Sequence, residues 1–270
     1  MKQRLEDIIR DPSKAVEEKI ELAFAVKEEF HSEEDERANL QNDVVLFSCL
    51  INMIVKENDS HVFDLELLQL YVLLAEAYVN LKDYRRVNDV ARGVLDVIRY
   101  EATRWEAMEE TLPRIMDAVG ETIYNHALYE LHLHYIRAAH RAGKLDKELA
   151  GRVRKMLKLR ILLDDDDWLD RLWDKELQEA VSKLISSEDL LKIILRPQIG
   201  HLRKDPVEYT HKWENIYYDV EEQLEERFAN APRHMGFCFH YWMAKRELLE
   251  TEYNITWHNP SVMNPGVMFD

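Results

Sequence analysis

Seven glycines and seven prolines are all the backbone punctuation that this chain of 270 residues carries. That is about half the usual frequency of each. Folds built from strands and hairpins need such residues at most chain reversals. The scarcity therefore predicts an all-α protein. Hydrophobic residues make up 46% of the chain and charged residues 33%, which supplies a core and excludes a disordered polymer. The length suits one large domain or two modest ones.

Helical periodicity follows the chain from Pro12 onward. Asp11-Pro12-Ser13 reads as a helix start, with Asp11 or Ser13 as the cap. Val16, Ile20, Ala23 and Phe24 then fall on one face. The acidic run His31 to Glu36 interrupts, and a central apolar helix is predicted over 40–55. Helices over 64–80 and 84–101 follow, joined by the turn Leu81-Lys82-Asp83. A short helix over 105–116 is interrupted by Pro113. A longer one over 120–142 ends at Gly143, a residue suited to a helix C-terminus. Beyond it come a basic amphipathic helix over 146–163 and helices over 168–185, 188–195 and 207–228. An aromatic run from Met235 to Trp242 leads into a last helix ending near Tyr253. The tail from Trp257 keeps Val262, Met263, Val267, Met268 and Phe269, so it is expected to pack back on the body.

The segment from Tyr71 to Tyr84 carries the clearest motif. Ala75 is a small residue where two helices must approach, Tyr78 follows three positions later, and Asp83-Tyr84 opens the second helix. Val87, Ala91 and Val94 continue the buried face. This segment resembles the tetratricopeptide repeat, over roughly 34 residues. Val87, Ala91 and Val94 depart from the family's small, aromatic and small preference, and Arg99 stands where a proline often ends the repeat. A looser echo lies at Ile136 to Ala150. The resemblance implies antiparallel helical hairpins that stack and leave a groove binding a peptide or partner protein. In that register Gln69, Val72, Glu76, Val79 and Asn80 face the groove, and Glu76 makes it better suited to a basic or apolar partner.

Several constellations point to chemistry. Asp166, Asp167 and Asp170 spell an aspartate-rich pattern resembling that of isoprenoid synthases, where such carboxylates hold Mg²⁺ against a diphosphate. Acidic residues at a helix start also stabilise it through the macrodipole, and no second aspartate-rich motif follows. Glu28 to His31 and Glu208 to His211 have the spacing used in di-metal bundles. His126, Glu130 and His134 form a one-turn ladder, with His132 and His140 on another face. Such ladders more often make hydrogen bonds than bind zinc. No nucleophile triad, glycine-rich phosphate loop or P-loop is recognisable.

The charge balance is 36 basic against 52 acidic side chains, a net −16, which disfavours nucleic acid as a partner. The basic stretch Arg137, Arg141, Lys144, Lys147, Arg152, Arg154, Lys155, Lys158 and Arg160 is expected to serve the chain's own acidic helices. Cys49 and Cys238 read as free buried thiols of a reducing compartment. Met1 to Lys14 lacks the apolar core of a secretion signal, and no apolar run is expected to reach the ~20 residues of a bilayer span. Together these features predict a cytoplasmic, non-catalytic scaffold or adaptor without a cofactor or metal, binding another protein and neither nucleic acid nor a membrane. The hairpin region is expected over 1–163 and a helical extension with an ordered aromatic tail over 164–270. The alternative is a Mg²⁺-dependent diphosphate enzyme using Asp166, Asp167 and Asp170. For the segment from Pro232 to Asp270, accessibility of Trp242 and Trp257 separates a partner-binding patch from an end cap.

Overall fold

The computed structural model describes residues 1–57, 64–99, 105–163 and 174–269. Among these residues the regular structure is helical, with no strand. The chain divides into two compact units, Met1–Leu145 and Asp146–Asp270.

The first unit holds α1 (Lys2–Arg10), α2 (Val16–Glu29), α3 (Glu36–Glu57), α4 (Asp64–Asn80), α5 (Tyr84–Ile98), α6 (Trp105–Gly120) and α7 (Asn125–Arg141). α1 is a helix that the charged N-terminus conceals in the sequence. It buries Leu5 completely and packs on α2 and α3. Asp11 does not cap α2. Its Oδ1 accepts from the amide and hydroxyl of Ser13, closing a local turn, and α2 starts behind Ala15 without a side-chain cap. The acidic run, which reads in the sequence as a loop or a solvated helix start, is a loop to Asp35, and its last residue, Glu36, opens α3. Ser32 and Asn39 close it with reciprocal hydrogen bonds, and Asp35 accepts from the Ala38 amide to start α3.

α3 overturns one sequence expectation. Its stretch Glu36–Lys56 is 21 residues long and contains an 18-residue window of mean hydropathy 1.3, enough by length and composition to cross a bilayer. In the structure it packs against α1, α2 and α4.

α4 lies against α3, α5 and α6, which explains why it is apolar nearly all round. It reverses into α5 through Lys82, whose left-handed φ of 60° lets the Asp83 amide reach the Tyr78 carbonyl at 2.9 Å. Val87, Ala91 and Val94 are fully buried, as their spacing predicts. α6 runs past Pro113 to Gly120 instead of stopping near 116. Proline removes one backbone bond and the rest of the helix carries it. α6 packs on α7, and α5 on α7 as well. α7 ends as expected, with Gly143 left-handed at φ 72°.

The second unit holds α8 (Lys147–Leu162), α9 (Lys175–Leu184), α10 (Ser187–Leu195), a 3₁₀ turn at Pro206–Tyr209, α11 (His211–Arg227), α12 (Phe237–Tyr253) and the short α13 (Pro260–Met263). Asp146, Asp174, Ser186 and Thr210 each accept from an amide three positions on, capping α8, α9, α10 and α11. α8 packs on α9 and α10. It therefore belongs with the second unit, whereas the sequence boundary at 163/164 places it with the first. The expected helix over 207–228 splits in two because Asp205 and Thr210 each start an element of their own. Trp213, Val220, Leu224, Ala244, Leu249, Ile255 and Trp257 form the core under α11 and α12. The tail is ordered. Asn264 bonds both the amide and the carbonyl of Arg203.

Candidate functional site

Four of the five groove residues expected from the sequence reach the surface of α4, and one does not. Gln69 and Asn80 are exposed, and Glu76 and Val79 half-buried. Val72 is only 1% exposed, because α4 is covered on several sides at once and that position turns into the core. Glu76, Val79 and Asn80 line an open groove of about 450 Å³ whose other wall is Arg114, Asp117 and Ala118 of α6 and Glu121 of the turn that follows it. Positions 114, 117 and 118 fall at three- and four-residue spacing on α6, so they share a helix face. Gln69 is not among the lining residues.

The electrostatics of the groove centre on Glu76. Arg114 donates from Nε at 2.9 Å to one oxygen of Glu76 and from Nη2 at 2.8 Å to the other. This two-pronged geometry fixes both side chains across the groove. Three carboxylates and one guanidinium line the walls, so the groove is net acidic. α6 was legible as a helix in the sequence, but nothing local joined its residues to α4. Their separation of 38 positions in the Glu76–Arg114 pair is a tertiary fact.

The other constellations are used structurally. Oε1 of Glu130 accepts two bonds from Arg99, at 3.0 and 2.9 Å, and lies 3.8 Å from His134 Nε2. Burial works to raise the Glu130 carboxyl, but the bonds from His134 and Arg99 outweigh it and hold it below its ordinary value. A guanidinium so close opposes a metal cation at that carboxylate. His126 and His132 are buried, and His140 is half-buried. Of the two Glu-x-x-His spacings, Glu208 accepts from Trp257 Nε1 at 2.9 Å, and His31 sits exposed in the loop before α3. Asp166, Asp167 and Asp170 lie outside the described residues.

Much of the basic stretch meets its own chain. Lys144 pairs with Glu109, Arg152 with Glu148, and Arg154 with Asp189 at 3.1 Å, while Lys158 reaches the Gln198 carbonyl. Cys49 and Cys238 are free and half-buried instead of fully enclosed. Cys49 lines a second depression of about 400 Å³ between α1 and α3. Burial pushes its thiol up, away from the reactive thiolate.

The C-terminal aromatics divide between the two roles expected of them. Trp257 is buried, whereas Trp242 is half-buried with its edge against Phe239 and Phe269. Met235, Phe239, Met243 and Met268 stay exposed. One arrangement escaped the sequence altogether. Lys245 Nζ sits 5.1, 4.7 and 5.3 Å from the ring centres of Trp213, Tyr217 and Trp257, and pairs with Glu221, which also accepts from the Tyr241 hydroxyl. The one-turn spacing of Trp213, Tyr217 and Glu221 on α11 was the available signal.

Comparison of the chain with protein-family models, with curated proteins and with solved structures finds no match.

Proposed function

We propose that this chain is a non-catalytic adaptor that holds a basic segment of a partner protein in the groove between α4 and α6. The observation that carries the reading is the groove itself: open, set between α4 and the end of α6, and lined by three carboxylates, Glu76, Asp117 and Glu121, and by Arg114. Acidic walls steer and orient a cationic ligand. A single guanidinium locked to Glu76 leaves the sign of the groove unchanged. The pairing of helices agrees with a tetratricopeptide-like scaffold. α4 packs on α6, α5 on α7, and α6 on α7, which is the pattern of one hairpin stacked on the next. Such stacking places the first helices of successive hairpins side by side, and the groove runs between that pair.

The experiment is a paired affinity capture from native lysate, with the tagged full chain and a Glu76→Lys/Glu121→Lys variant side by side. The pair at Glu76 is half-exposed, with 40% and 54% of the two side chains accessible. Its loss costs less than about 1 kcal/mol, so the variant stays folded. A stoichiometric partner with a Lys- or Arg-rich contact segment, present on the wild type and lost on the variant, is the expected result. Identical capture by both proteins, or none by either, defeats the reading.

A further inference from the structure

The second unit carries an apolar helix face turned outward. α10 buries one large apolar side chain, Ile193, and holds its register on α8 through the Asp189–Arg154 pair. Leu191, Ile194 and Leu195 are 55%, 54% and 70% exposed, and Leu190 is also accessible. At about 100° per residue these four side chains cover an arc of roughly 140° on a helix of nine residues. Ile199, four residues past the helix end, is also exposed. A helix of a soluble unit ordinarily turns its wide apolar stripe inward. Here the wide stripe faces out.

Glu188 and Asp189 open the helix and are paired with Lys192 and Arg154, and past them the charges have one sign. From Leu190 to Lys204 the chain holds Lys192, Arg196, Arg203 and Lys204 and no carboxylate, in a protein of net charge −16. Arg196, Arg203 and Lys204 are exposed, and Lys192 meets Glu188 only in an open surface pair. The loop that carries the later cations is held in place: Lys158 reaches the Gln198 carbonyl, and Asn264 brackets Arg203.

We infer that α10 and the loop to Lys204 form a docking surface for an acidic amphipathic helix of a partner protein. Apolar side chains of that helix cover Leu191, Ile194 and Leu195, and its flanking carboxylates meet Lys192, Arg196, Arg203 and Lys204. One observation argues against a second copy of this chain: the exposures of the five apolar residues add up to fewer than three whole side chains. That is well short of the ~800 Å² each partner contributes to a stable dimer. An anionic bilayer is opposed by the net charge of −16 on the whole chain. This surface lies in the second unit and does not depend on the α4/α6 groove.

The test is a selection of displayed random 18-residue peptides on the immobilised full chain, run in parallel on Leu191→Ser/Leu195→Ser and Lys192→Glu/Arg196→Glu variants. Both pairs of substitutions are at exposed positions, so unchanged circular dichroism and thermal midpoint are expected of each. Enrichment of Leu/Glu-rich helical sequences on the wild type, with at least a tenfold weaker Kd by fluorescence anisotropy on either variant, supports the inference. No enrichment, enrichment of basic sequences, or affinity indifferent to both variants overturns it. Co-sedimentation with phosphatidylserine vesicles that depends on Leu191 and Leu195 also overturns it, in favour of a lipid surface. A solution dimer dissolved by Leu191→Ser/Leu195→Ser overturns it in favour of self-association.

Discussion

The ring of Tyr71 on α4 lies so close to the Cα of Gly93 on α5 that a Cβ at position 93 would sit 2.4 Å from its Oη, 2.6 Å from Cζ and 2.8 Å from Cε1. Gly93 is the gap that lets the α4/α5 pair close. On propensity alone, alanine at a mid-helix glycine adds about 1 kcal/mol of stability. Overpacking against a buried ring costs about 1–3 kcal/mol. Gly93→Ala is therefore expected to destabilise the chain in urea unfolding, and Tyr71→Leu in the same background to recover part of the loss. A stabilised Gly93→Ala protein refutes the packing account.

The Arg99–Glu130 contact makes a prediction about pH. Glu130 is held below its ordinary carboxylate value in the folded chain, the opposing effect of burial being outweighed by His134 and Arg99. A depressed folded value means that the unfolded chain takes up the proton first as pH falls. The stabilisation is complete above the ordinary value near 4.5 and is lost as pH drops through the folded value. Thermal midpoints of wild type and Glu130→Gln are expected to differ most near pH 7 and to converge as pH falls below 4.5 and through the lowered folded value. A gap that stays constant across that range removes the assignment.

Much of the helix pattern was legible because it is local. Asp64, Asn80, Tyr84 and Gly143 mark ends that the apolar period and the turn residues announce together. α1 was hidden because its charged side chains outnumber the few apolar ones that place Leu5 in the core. The fate of Val72 was not legible either. Its neighbours at 69 and 76 reach the surface, and only the simultaneous packing of α3, α5 and α6 around α4 decides which face remains open. Arg114 and Glu76 meet across 38 residues, and Trp213 and Trp257 stack across 44. Contacts of that span leave no periodic trace. The cations from Lys192 to Lys204 straddle a helix end and a loop, so no single helix face displayed them as a group.

Lys245 gives the third prediction. It is 7% exposed, and its ammonium lies among Trp213, Tyr217 and Trp257 while pairing with Glu221. Cation–π contacts of a desolvated ammonium contribute about 2 kcal/mol or more, and breaking an enclosed ion pair costs about 3–5 kcal/mol. Glu221 keeps 25% of its side chain accessible, which lowers the second figure. Lys245→Met preserves length and removes charge, and is expected to cost about 2–3 kcal/mol with a shift in tryptophan emission. Lys245→Arg is expected not to restore stability, because a planar guanidinium does not replace a point charge between three rings. Wild-type stability in Lys245→Met would show that the rings alone hold this core.

Asp205 ties the 3₁₀ turn to the tail beyond α12. Its Oδ1 accepts from the Val207 amide at 3.0 Å, and its Oδ2 accepts from the His258 amide and lies against His258 Nδ1, both at 2.7 Å. The residue is 5% exposed, and the two amide bonds it accepts are part-buried. Asp205→Ala is expected to cost about 1–2 kcal/mol, from two part-buried donors that lose their acceptor. Asparagine separates charge from shape. It can still accept from Val207, but its NH₂ then faces the His258 amide, donor against donor. Asp205→Asn is therefore expected to behave much like alanine. Hydrogen exchange at the His258 amide is the direct readout, and it should accelerate in both variants while the amides of α4 and α5 keep their protection. Unchanged exchange at His258 in Asp205→Asn would show that the tail is held by Trp257 and Asn264 without this carboxylate.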